Sequence, residues 1–378
     1  MEKTRVLVFV DYYEPGFKAG GPIRTLKNIF DVLKTEFDFY IITRNHDIAD
    51  NKPYEFETGK WIPFNNAYIL YLHENKLTNK KLKDIVEEVK PVTIYFNSFC
   101  SLHFSIKVLF WLRKCSVKKV LAPRGEFSSA ALKIKWFRKW VFINVANWFN
   151  LYTDIFFHAS SEFEKEDITA QINCKEVIVI SDLVSNLQLQ PKENYRKENN
   201  TLKLCYLGRI SSVKNIEFCI ESMATAKDSK IILDIYGPIE DEKYFQKCRD
   251  LIKRKQLINQ VQYKGIVEAF NVQQVIKKYD FLFLPSKGEN FGHVIFESIA
   301  AGTPVIISKH TFWNRFKNRE PWGYYIPIDD SNFVADLLHQ CCKMNNENYL
   351  KLSMCAFELA REVANSSNEK VAMKKLLN

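Results

Sequence analysis

The chain has 378 residues, 47% apolar and 26% charged, with a formal net charge of +10. That length exceeds what one hydrophobic core usually serves, and the composition excludes a disordered or fibrous chain. The positive balance asks for an anionic partner, whether a phosphorylated small molecule, a nucleic acid or an acidic membrane surface, and does not choose among them.

In chain order, the opening MEKTRVLVFV carries only a short apolar run before Asp11, too short for a secretory leader and better read as a buried strand. Short β-branched or aromatic runs follow at 39–43, 67–72, 92–96, 119–123, 154–159 and 176–181, alternating with helical patterns. This alternation is the signature of an α/β fold with parallel sheets. Near 186–201 the pattern breaks into NLQLQPKENYRKENNT, polar and without periodicity, which reads as a linker. A second alternating series runs through 202–208, 230–237, 260–265, 280–286 and 303–308, and the tail from Ser331 has helical spacing. The expected organisation is therefore two Rossmann-like α/β domains, 1–190 and 191–361, facing one another across a cleft, with a final helix at about 362–378 packing back on the first.

The windows 91–106 and 140–153 are free of charge but contain Asn, Ser or Pro, so they fall short of a membrane span. Nine scattered cysteines, never spaced C-x-x-C, read as reduced thiols of a cytosolic protein, not as a disulfide frame or a zinc site. His46, His73, His103, His310 and His339 have no metal-ligand spacing and read as structural.

The segment with most chemical content is SKGENFGHVIFESIAAGTP, beginning at Ser286. Strand 280–286 ends, a turn follows, and helical spacing runs to Gly302, a C′ glycine ahead of Thr303 and Pro304. Glu289 precedes the helix and Glu297 lies eight positions on. Backbone N–H groups of Asn290, Phe291, Gly292 and His293 would meet a phosphate or sugar oxygens at the helix start, and Gly292 would let a ligand approach closely. Paired carboxylates suit a ligand rich in hydroxyls. The competing reading, that Glu289 serves the helix dipole and Glu297 is solvated, holds for most arbitrary Glu pairs.

This stretch closely resembles the E-x7-E signature of family 4 glycosyltransferases, retaining enzymes of GT-B fold. The resemblance implies that Glu289 contacts hydroxyls of a donor sugar and Glu297 the nucleotide ribose; Asn290 stands where that family more often has Gly. YLGRISSVKN, from Tyr206, resembles the family's Gly-Arg-x-x-x-x-Lys motif, which implies that Gly208 opens a turn placing Arg209 and Lys214 on the donor diphosphate. A guanidinium fork and an ammonium there would stabilise charge developing on the leaving group. Glu289, Arg209 and Lys214 are the expected catalytic set. Gly20 and Gly21 resemble the family's glycine loop closing over the diphosphate, and the glycine-ended strands at Gly237 and at Gly265 and Ile266 are expected against the nucleotide.

In the first half, APRGEF carries Arg124 where relatives have a histidine, so a histidine role does not transfer; Arg124 and Glu126 are expected to bind acceptor, with an ordinary loop salt bridge as the alternative. Ser160 and Glu162, in HASSEFEKEDI, are further acceptor candidates. The stretch 131–150 mixes Lys133, Lys135, Arg138 and Lys139 with Trp136, Phe137 and Trp140, fitting either an anionic membrane surface or a helix packed on the sheet.

The resemblance implies a nucleotide-diphosphate sugar as co-substrate, no metal or other cofactor, and a glycan or polyprenyl-linked saccharide as acceptor, in cytoplasm or peripherally on the membrane's inner face. A GT-B epimerase and a non-catalytic partner subunit are the rivals. A nicotinamide-dependent oxidoreductase lacks its glycine spacing in EPGFKAGG, and no nucleic-acid module is recognised.

Overall fold

The computed structural model describes residues 3–48, 50, 52–128, 131–132, 136–184, 189, 191–192, 194–227 and 230–378. Chain contacts divide it into two compact units: Met1–Ser185 with Ser366–Asn378, and Asn186–Asn365.

In the first unit, strands β1 (Thr4–Phe9), β2 (Phe37–Arg44), β3 (Trp61–Phe64), β4 (Ala67–Leu72), β5 (Thr93–Phe96), β6 (Lys118–Leu121), β7 (Phe156–Ala159) and β8 (Glu176–Val179) form one sheet. Its order is β3-β4-β2-β1-β5-β6-β7-β8, parallel except for the β3–β4 hairpin. The helices are α1 (Gly21–Leu33), α2 (Asn79–Val89), α3 (Lys107–Trp111), α4 (Trp136–Trp148) and α5 (Glu162–Thr169), with α12 (Asn368–Leu377) from the chain's far end. Alternation along β1 sends Leu7 and Phe9 into a core with α2, α3, α4 and α5, and Val6 and Val8 into a second core with α1 and α12. Covered on both faces, the central strands are apolar nearly throughout.

The second unit holds β9 (Leu202–Leu207), β10 (Ile231–Tyr236), β11 (Val261–Gly265), β12 (Phe281–Leu284), β13 (Val305–Ser308) and β14 (Gly323–Ile326). Its helices are α6 (Ile216–Ala226), α7 (Glu242–Arg254), α8 (Val272–Ile276), α9 (His293–Ala300), α10 (Ser331–Lys343) and α11 (Asn346–Asn365). The sheet order β11-β10-β9-β12-β13-β14 is parallel throughout. Counted from β9 this is the doubly wound order 3-2-1-4-5-6, and β2, β1 and β5 of the first unit follow the same scheme.

Two strands were not expected. β3 carries Pro63, which an edge strand tolerates because one side of its backbone makes no ladder bonds. β14 begins at Gly323, where a Cβ would lie 2.6 Å from Val305 O, so the sheet closes on this strand only because the side chain is missing.

Candidate functional site

In an open doubly wound sheet, ligands bind beyond the carboxyl ends of the strands, where strand order reverses. In the second unit that point lies between β9 and β12, and the loops leaving those strands carry Gly208 to Lys214 and Pro285 to Gly292.

The two loops are tied together: Lys287 N donates to Val213 O at 2.9 Å. Lys214 Nζ forms an ion pair with Glu289 Oε1, which also accepts from Ser286 Oγ at 2.7 Å. Neither bond falls on Oε2. The side chains of Lys214 and Glu289 are 15% and 9% exposed, so this pair sits at the protein surface's inner edge, where an attraction is less screened than in open water. Glu289 N donates to His310 O at 2.9 Å, fixing the turn against the loop after β13.

Gly292 caps α9 with φ +71°, and a Cβ there would meet Ile295 Cδ1 at 2.9 Å. The first turn closes through Ile295 N and Phe296 N to Gly292 O. Gly302, at φ +68°, ends the helix as its spacing predicts. The Phe291 side chain is buried among Phe296, Phe312 and Trp313, and Trp313 Nε1 donates to Phe291 O at 2.6 Å. The Phe291 side chain thus anchors the turn whose backbone N–H groups are the ones expected to meet a ligand. Asn290 and His293 are half-buried at its rim, and Glu297 is buried within α9.

Beside this turn, three glycines end adjacent strands. Gly208 N donates to Tyr236 O at 3.0 Å and Gly237 N to Gly265 O at 2.9 Å. Gly237 has φ +138°, and a Cβ there would stand 1.9 Å from Gly208 O; any other residue would push the two loops apart. Ile266 is exposed beyond Gly265. Arg209 is about half exposed and pairs with Glu240 at 2.7 Å, while Tyr206 Oη donates to Arg209 O at 3.0 Å from within the core. Arg209 and Lys214 leave the same loop, but each has its own carboxylate partner.

The first unit presents a different picture. Gly20, at φ +66°, and Gly21 start α1 without a capping side chain, and their loop is held further back by the buried Asp47, which accepts from Phe17 N at 2.9 Å and Lys18 N at 3.2 Å. Arg124 is turned inward from φ +55°. Its Nε donates to Asn97 Oδ1 at 2.8 Å, one terminal nitrogen to Asp182 Oδ1 at 2.9 Å and the other to Tyr95 Oη at 2.7 Å. Tyr95 Oη donates on to His158 Nδ1 at 2.6 Å, and His158 Nε2 donates to Ile180 O at 2.9 Å. This direction of donation requires a neutral imidazole with its proton on Nε2. Burial, reinforced by Arg124, lowers the His158 pKa to about 3. Burial alone would lower that of Arg124, but Tyr95, Asp182 and Glu164 together raise it.

Glu126 accepts from Ser98 Oγ at 2.9 Å, Phe99 N at 2.5 Å and Cys100 N at 2.9 Å; burial raises its pKa against those bonds. Ser160 gives both its N–H and its hydroxyl to Glu164 Oε2, at 2.8 and 2.6 Å, and Gly125 N donates to the other oxygen at 2.6 Å. Glu162 is exposed and faces Lys165 at 3.8 Å. Arg124, Glu126 and Ser160 therefore brace the loops after β5, β6 and β7 from inside, and the α5 carboxylate that joins them is Glu164, while Glu162 stays exposed. The signal was present: Ser161-Glu-Phe-Glu164 is a capping-box spacing, and Ser161 Oγ accepts from Glu164 N at 3.2 Å. Asn97, Tyr95, His158 and Asp182 had no such signal, since their meeting depends on strand order.

Residues 189–348 match the family model described as Glycosyl transferases group 1. The match lies within the second unit. An uncharacterized glycosyltransferase of Methanocaldococcus jannaschii is 26% identical over 185 residues, 43% of this chain and 46% of that protein. An uncharacterized 41.2 kDa protein from the cps region of Klebsiella pneumoniae is 24% identical over 65% of this chain and 70% of its own. The chain spans less than half the length of the first of these. Among solved structures, Anabaena HepE in complex with UDP and glucose aligns over 99% of both chains with a TM-score of 0.74 at 16% identity. The fold is that of the GT-B glycosyltransferases.

Proposed function

We propose that this protein is a retaining glycosyltransferase of hexosyltransferase type, of family 4, which moves a sugar from a nucleotide-diphosphate donor to an acceptor hydroxyl. The observation that carries the reading is the meeting of Lys214 and Glu289 across the point where strand order reverses in the second unit. A carboxylate there accepts hydrogen bonds from sugar hydroxyls, and an ammonium beside it meets the diphosphate. A bound donor inserts its own charge between them: Lys214 turns to phosphate, and Glu289 is released to the sugar. Arg209, exposed and held only by a surface pair, is free to exchange Glu240 for a phosphate oxygen at small cost.

On this reading the cations and the start of α9 neutralise the leaving diphosphate without a metal ion. The departing phosphate takes the acceptor proton as the new bond forms on the same face, so no protein base is needed. Gly237 and the backbone at Gly265 and Ile266 hold the nucleoside, Glu297 the ribose. UDP is the first donor base to try, because HepE was solved with UDP and glucose. The acceptor, a glycan or polyprenyl-linked saccharide of capsule, exopolysaccharide or O-antigen assembly, is suggested by the resemblance to the cps-region protein. The site of action would be the inner face of the cytoplasmic membrane.

The test is a thermal-shift screen of the whole chain against UDP, GDP, ADP and CMP and their sugar conjugates, beside Glu297→Ala. One nucleoside diphosphate should raise the wild-type midpoint and leave the variant unmoved; no response to any of them would remove the donor site. Release of free sugar or transfer with retained anomeric configuration then separates a transferase from an epimerase or an inactive subunit.

A further inference from the structure

The chain's charge is not spread along its length. Residues 89–153 contain eleven Lys and Arg against one carboxylate, Glu126, so this stretch alone supplies the whole net charge of +10. That single carboxylate is partly buried and bonded internally. The stretch encloses α3 and α4, which lie over the same core on one face of the first sheet.

Helix α4 is apolar on both sides. Phe142, Ile143 and Ala146 pack on the core, and Asn147 ties the helix to the turn after α5 through Gln171 O at 2.8 Å and Asn173 N at 3.1 Å. The opposite side is also apolar, yet faces outward: Trp136 is 63% exposed, Phe137 59%, Trp140 57%, Trp148 82% and Phe149 75%, with Val145 between them. Single exposed hydrophobics are ordinary, but a contiguous row on one firmly held helix is not. Arg138 is exposed beside the row, and on α3 Phe110 is 54% exposed under the Arg113 guanidinium. Lys133 and Lys135 lie outside the described residues.

We infer that the outward face of α4 is the surface by which this protein docks on an anionic lipid bilayer, with the aromatic rings entering the headgroup region and the surrounding cations meeting lipid phosphates. Trp and Phe with flanking Lys and Arg is the composition that an interfacial helix needs, and residues 89–153 themselves present no exposed carboxylate to repel an anionic surface. A protein partner would have no need of a stretch whose charges are so nearly of one sign, whereas an anionic bilayer rewards added cations. The inference gives a physical site to the membrane placement proposed above, but stands on the α4 face alone and does not require the sugar-transfer reading.

The experiment is sedimentation of the whole chain with vesicles of phosphatidylcholine, with and without phosphatidylglycerol, beside Trp140→Ser/Trp148→Ser/Phe149→Ser and, separately, Arg138→Glu. Wild type should sediment with the anionic vesicles, and much less with neutral ones. The triple variant should lose binding about tenfold or more, and Arg138→Glu several-fold with a weaker salt dependence. Quenching of wild-type tryptophan fluorescence by bromine-labelled lipid acyl chains reads insertion without any variant, so a misfolded variant leaves the test intact. Unchanged nucleotide-induced stabilisation in the variants separates this outcome from failure of the donor site. Absence of vesicle binding and quenching by wild type overturns the inference, as does a soluble dimer that the triple variant dissociates while neither form binds lipid.

Discussion

The two units share one winding scheme but spend their charged side chains differently. Beyond the strands of the second sheet, Lys214, Glu289 and Arg209 stand on loops at or near the surface, each with a single carboxylate or cation opposite. In the first, Glu164 is buried, Arg124 and Glu126 are partly buried, and all three nitrogens of Arg124 are taken by protein partners. A charge with one exchangeable partner can pass to a ligand. One with three buried partners cannot, because leaving any of them unpaired costs several kcal/mol. Fold similarity thus says where a site can lie, and the state of the side chains separates the sheet whose charges are braced from the one whose charges have exchangeable partners.

The contrast is most exposed to failure at Arg124. Arg124→Met should destabilise the chain by about 3–5 kcal/mol, since Asp182 is left charged and buried; denaturant unfolding measures it, and a loss below about 1 kcal/mol would place Arg124 with the working charges. Glu289→Gln should do the reverse. Transfer should fall about 100- to 1,000-fold, the cost of removing a positioned stabilising group, while the unfolding midpoint hardly moves.

A subtler test uses His158. Its folded pKa, lowered to about 3, lies below the ordinary histidine value, so between those limits the unfolded chain binds a proton that the folded one does not. Stability should therefore fall as pH drops below about 6.5, by about 2 kcal/mol between neutrality and about pH 5. His158→Gln should flatten that slope in unfolding curves taken at both pH values. The smallest effect belongs to Glu162→Ala, exposed and weakly paired: a change within about 0.5 kcal/mol is expected, whereas Glu164→Ala should cost several times more in the same assay.

What could be read in the sequence followed from local rules. The runs that became β4 and β9 are short, β-branched and bounded by turns, and Gly302 ended α9 where a C′ glycine should. β3 escaped because Pro63 argues against a strand, and β14 because Gly323 offers no side chain to pattern. At the site, Lys214 and Glu289 were named because each lies in a local motif, but their direct pairing needed β9 and β12 to be neighbours. Which α5 glutamate turns inward, Glu162 or Glu164, is decided by tertiary packing and not by any local rule. The inward rotation of Arg124 depends likewise on Tyr95 and Asn97 at the end of β5 and on Asp182, two stretches far apart in the chain.

The return of α12 to the first unit has a consequence for how the protein is made. Met373, Leu376 and Leu377 belong to the core beside α1, and Lys374 pairs with Glu36, yet the entire second unit is synthesised before them. During synthesis the first unit must wait, with one helical place unfilled, until the whole second unit has been made. A product clipped between the second unit and α12 would then retain a complete second unit beside an unfinished first one, and quality control would see the older half of the chain as the unfolded one.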